Sequence, residues 1–107
     1  MNSATPLACN MGVFTPIQRQ DHIQVTTQLI QAVQSVREVE NGYEFLFPNE
    51  TEFISKIAEF ISNEQLCCPF LQFTLHVDSS SKPVSLALTG PVGTQEFLRA
   101  EFDGAFQ

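Results

Sequence analysis

Cys67 and Cys68 stand side by side and are followed at once by Pro69 and Phe70; a third cysteine, Cys9, lies in the run Cys9-Asn10-Met11-Gly12. Thiols are the chemistry these positions offer. Neighbouring α-carbons are ~3.8 Å apart, short of the ~4.4–6.8 Å that disulfides span, so a bond between Cys67 and Cys68 would be strained. Two adjacent thiolates in a loop can instead close a chelate on one soft ion such as Zn(II), Cu(I) or Hg(II). The competing reading makes each cysteine a small buried hydrophobe that plugs a corner of the fold.

Position constrains the thiols. They fall at the end of an amphipathic pattern, where a helix dipole is negative and works against a bare thiolate. No Lys or Arg occurs within the ten residues after the pair. An ionised sulfur there needs a bound cation, an imidazolium, or help from the arm that carries Cys9. Glu64 precedes Cys68 by one helical turn and can share its side. It is a candidate carboxylate ligand or proton acceptor, against the plain alternative of a solvated helix-end acid. Cys9 either swings over the corner to complete a three-sulfur site, with Gly12 easing a tight turn, or is an incidental thiol in a terminal arm. His22 lies on the apolar side of a helix, as a ligand or as a hydrogen-bonded semi-buried ring. His76 falls on an outward strand face and reads as surface. No Cys-x-x-Cys or paired-histidine spacing occurs, so zinc-motif and thioredoxin-type readings lack support.

The elements that must position these residues follow from periodicity. Residues 1–14 read as an irregular N-terminal arm, and residues 15–107 as a single α+β domain. Thr15-Pro16-Ile17-Gln18 is a capping-box helix start, and the helix should reach about Ser35 with Ile17, His22, Val25, Leu29, Ala32 and Val33 on one side. Val36–Glu40 and Tyr43–Phe47 read as two strands. A three-residue loop, Glu40-Asn41-Gly42, would pair Val39 with Tyr43 and keep acids off the aromatic face; a two-residue turn at Asn41-Gly42 is the alternative. Asn49 and Glu52 suit the start of a second helix, from about Glu50 to Leu66, with Phe53, Ile54, Ile57, Ala58, Phe60 and Ile61 as its stripe. Pro69 forces Cys68 out of helical conformation. Leu71, Phe73, Leu75 and Val77 then alternate as a strand, Val84, Leu86 and Leu88 as another, and Thr94 caps a last helix to about Phe102. The order is α-ββα-ββα: a four-stranded antiparallel sheet with helices mainly on one face.

Composition narrows the function classes. The 107 residues carry a net charge of −7, and Arg19, Arg37, Lys56, Lys82 and Arg99 are scattered singly. A nucleic-acid face needs clustered cations, so nucleic acid and anionic membrane surfaces are disfavoured. No apolar run approaches the ~18–20 residues of a membrane span. The first ten residues lack the pattern of a secretory signal, which points to the cytoplasm and to cysteines kept as free thiols or metal ligands.

The run Cys9-Asn10-Met11-Gly12, with Thr15-Pro16, His22, Cys67-Cys68-Pro69-Phe70-Leu71 and Leu88-Thr89-Gly90-Pro91-x-Gly93 before Phe97-Leu98, resembles a small family of uncharacterised bacterial proteins associated with heavy-metal resistance settings. The resemblance spans most of the chain, and Cys-Cys-Pro-Phe is its most specific part. It brings no activity with it. It implies that Cys9, His22, Cys67 and Cys68 act together.

Three functions emerge. The first is a thiol-site protein that binds a soft or transition metal ion (zinc, copper or mercury), or a small thiol-reactive ligand, through Cys9, Cys67 and Cys68, assisted by His22 or Glu64. The second is a cysteine-dependent enzyme with His22 or Glu64 as proton shuttle. The third is a homodimeric interaction module whose cysteines are structural.

Overall fold

The computed structural model describes residues 7–106. Three helices, α1 (Pro16–Ala32), α2 (Thr51–Cys67) and α3 (Thr94–Glu101), alternate with strands β1 (Ser35–Val39), β2 (Gly42–Phe47), β3 (Gln72–His76) and β4 (Val84–Thr89). The strands form one antiparallel sheet in the order β1-β2-β4-β3. The α-ββα-ββα order expected from periodicity is the one observed. No helix among the described residues is long and apolar enough to cross a membrane.

The helices cover the sheet face that carries Tyr43, Phe45 and Phe47 from β2 and Val84, Leu86 and Leu88 from β4, all buried. Phe60 of α2 and Phe45 of β2 each meet Phe102 edge to face, with ring centroids 5.9 and 6.2 Å apart. Phe106, in a 3₁₀ turn over Asp103–Phe106, packs on Tyr43 and Phe45 in the same manner. Such edge-to-face pairs suit the aromatic quadrupole and explain how a core rich in Phe and lacking Trp fills its space. On the opposite face Arg37 and Ser85 both bond to the Glu44 carboxylate, and together they hold that group below its ordinary range.

The α1 start is a capping box. Thr15 Oγ1 accepts from Gln18 N–H at 3.2 Å, and Gln18 Oε1 accepts from Thr15 N–H at 2.9 Å. Other local expectations are corrected. Ile17 is 73 % exposed, because the first turn of α1 carries it clear of the core. Helix α2 has Glu50 at its N-cap with no side-chain cap. Asn49 instead donates its amide to the Ser79 and Lys82 carbonyls, tying the β3–β4 loop to the start of α2. The first hairpin takes neither expected register. Val39 pairs with Gly42 and Glu38 with Tyr43, and Asn41 supplies the left-handed residue at φ 59°. Gly42 must be glycine, since a Cβ there would collide with the Leu88 carbonyl on the adjacent strand. Leu75 and Val77 stay 36 % and 46 % exposed, because β3 is an edge strand and Val77 lies beyond its end.

Candidate thiol and metal centre

Helix α2 places three of the site residues by its own repeat. Glu64, Cys67 and Cys68 occupy i, i+3 and i+4, so their side chains meet on one face. The Cys68 N–H closes the last helical turn on the Glu64 carbonyl at 2.8 Å. Cys68 itself leaves helical conformation at φ −124°, ψ 70°, as Pro69 requires. The Leu71 N–H then bonds back to the Cys68 carbonyl at 3.1 Å. Cys67 and Cys68 are sealed in, with 1 % and 0 % of their surface exposed.

The N-terminal arm crosses this corner. Asn10 N–H donates to the Cys67 carbonyl at 2.7 Å, which satisfies one of the open carbonyls at the end of α2. Asn10 Oδ1 accepts from Gly12 N–H at 3.0 Å and caps a 3₁₀ turn over Met11–Val13. Anchored in this way, Cys9 reaches Cys68. Their α-carbons are 4.5 Å apart and their sulfurs are at disulfide distance. The expectation of free thiols therefore holds for Cys67 and not for Cys9 and Cys68. The vicinal pair is not itself bonded: Cys67 Sγ and Cys68 Sγ are 3.6 Å apart.

Glu64 joins the sulfurs to the histidine. Its Oε1 lies 3.5 Å from Cys67 Sγ and its Oε2 3.4 Å from Cys68 Sγ. His22 Nε2 is 2.7 Å from the same Oε1. His22 is 4 % exposed and lies between the rings of Phe14 and Phe60 at centroid separations of 5.4 and 5.7 Å. Its Nδ1 is buried without a partner.

Two overlapping groups are placed to hold a metal ion. The sulfurs of Cys9, Cys67 and Cys68 form one; His22, Glu64 and Cys67 form the other. In each, the donor atoms lie within 4.8 Å of one another. All five site residues expected from sequence thus converge, although α1, α2 and the arm supply them from distant parts of the chain.

The electrostatics work against a bare thiolate at Cys67. Burial, and then the charge and hydrogen bonding of Glu64, push its thiol up to about 12. Glu101 of α3 is a participant that sequence reasoning missed. It stands beside a cavity of about 210 Å³ lined also by Cys9, Met11, His22 and Glu64. Partial desolvation and the charge of Glu64 push its carboxyl upward, although the residue still reaches solvent. Its only sequence signal is its place beside the inward-facing Leu98 and Phe102.

No protein-family model, curated protein or solved structure matches this chain. The functional reading therefore rests on the geometry.

Proposed function

We propose that the protein binds one soft or transition metal ion through Cys9, Cys67 and Cys68 in its reduced state, as part of heavy-metal handling. The observation that carries this reading is the approach of three sulfurs, from positions 9, 67 and 68, within 4.8 Å of one another. Three thiolates suit Zn(II), Cu(I) or Hg(II). The raised Cys67 thiol is compatible with such a role, because a bound cation displaces a thiol proton that the bare protein would hold. Glu64 touches two of the sulfurs and is bonded to His22. The pair is placed to receive the displaced protons, or to add a harder ligand for Zn(II).

The Cys9–Cys68 pairing favours a second reading, a thiol–disulfide enzyme in which Cys67 attacks its neighbour. Burial, and then the same Glu64 that would serve as base, hold the proton on Cys67, so attack by Cys67 would be slow. The metal reading needs no such free thiolate and is the stronger.

Native mass spectrometry after Zn(II) and Hg(II) titration of the reduced protein tests it. Wild type should take up one ion, and Cys9→Ser, Cys67→Ser and Cys68→Ser should each weaken uptake. Equal uptake by wild type and all three variants would overturn it.

A further inference from the structure

Of the disulfide that must open before three sulfurs can share an ion, Cys9 is the half that reaches solvent among the described residues. Cys67 and Cys68 are sealed, while Cys9 is partly exposed and lines the cavity between α1, α2 and the end of α3. That cavity, about 210 Å³, has room for one small organic molecule. Among the described residues, two acids, Glu64 and Glu101, line it, and no Lys or Arg does. His22 lines it as well and keeps a buried, unpartnered Nδ1. A buried polar atom without a partner is costly unless something supplies one. Thr27 stands at the exposed rim.

We infer that this cavity takes a low-molecular-weight thiol, neutral or cationic, which opens the Cys9–Cys68 bond by attacking Cys9. The inference extends the metal-binding reading by naming what activates its site. In the first step the incoming thiol's sulfur bonds to Cys9 Sγ, the Cys9–Cys68 bond breaks, and the thiol's proton ends on Cys68 Sγ. A mixed disulfide on Cys9 and a free Cys68 thiol result. A second thiol molecule then bonds to the first one's sulfur and returns a proton to Cys9, releasing a small disulfide. Two electrons pass from two small thiols to the protein. The direction of the first step is set by access, since a nucleophile must reach the sulfur it attacks. The charge preference is set by the two carboxyl groups, which repel an anion.

The disulfide form is treated with limiting cysteamine, quenched in acid and mapped by peptide mass spectrometry. The adduct is expected on Cys9, with Cys68 unmodified; an adduct on Cys68 or Cys67 would overturn the inference. In wild type, cysteamine should outpace 2-mercaptoethanesulfonate by about tenfold per thiolate at low salt, and high salt should narrow the gap. Equal rates at low salt would also overturn it. Thr27→Trp, a substitution on an exposed helix face, should fill the mouth and slow opening by about tenfold. An unchanged rate in a folded Thr27→Trp protein would place the route elsewhere. Cysteamine mapping needs no metal, so failure of soft-ion uptake by the reduced protein would remove the metal reading and leave this one standing.

Discussion

His22 Nε2 and Glu64 Oε1 share a hydrogen bond of 2.7 Å, joining α1 to the end of α2 over 42 positions of sequence. Both residues are buried, and the carboxyl group they share also touches the sulfurs of Cys67 and Cys68. The link is structural as well as chemical, because both groups are buried.

Removing the imidazole should therefore cost stability. His22→Ala strips a buried acid of its strongest partner and leaves a gap between Phe14 and Phe60. A loss of at least about 1–3 kcal/mol is expected, read by urea denaturation. Glu64→Gln keeps a hydrogen-bonding side chain of the same size and should cost less. If His22→Ala were neutral, the buried pair would contribute nothing to the fold.

Cys67 gives the protein a pH signature at the alkaline end. Its thiol is raised in the folded state from an ordinary value of 9.0 to about 12. An acid with a raised folded pKa stabilises the fold fully below its unfolded pKa, and that contribution is lost as pH rises through the folded value. Stability should therefore fall between about pH 9 and pH 12. In Cys67→Ala the slope should flatten, and in Glu64→Gln the thiolate absorbance of Cys67 should appear at lower pH, since Glu64 is the next cause of the shift after burial. Chemical denaturation across this range, followed with ultraviolet titration, checks both.

Opening the Cys9–Cys68 bond should loosen the arm without unfolding the domain. The crosslink spans 59 positions, and loops of that order contribute about 2–4 kcal/mol through the unfolded chain. Reduction should lower the urea midpoint accordingly. The amide of Asn10, which donates to the Cys67 carbonyl when Cys9 and Cys68 are paired, should exchange faster in the reduced protein. An urea midpoint indifferent to reductant would mean that the arm is held by packing alone.

Much of this site was legible in sequence because helix geometry does the placing. Glu64, Cys67 and Cys68 share a face by their spacing alone, and Pro69 marks where the helix must end. His22 was visible as the polar member of an apolar stripe. The partner of Cys9 was not legible. A sequence separation of 59 has no local signal, and a reducing compartment inferred from the first residues argued for free thiols. The first hairpin shows a different limit. Keeping acids off the aromatic face predicts Val39 opposite Tyr43, yet Glu38 sits there. Strand β1 lies at the sheet edge, so Glu38 is solvated there and bonded to the Gln95 amide at 3.2 Å. An edge position makes that pairing cheap, and edge order is a property of the whole sheet. Edge position likewise leaves Leu75 exposed despite its place in the apolar alternation.

X-ray absorption at the metal edge, on the fully reduced protein loaded with one equivalent of Zn(II) or Hg(II), tests the central claim most directly. A single ion should report three sulfur neighbours, at about 2.3 Å for zinc, and lose one in each of Cys9→Ser, Cys67→Ser and Cys68→Ser. A first shell of nitrogen and oxygen alone, or one unchanged by all three substitutions, would contradict it.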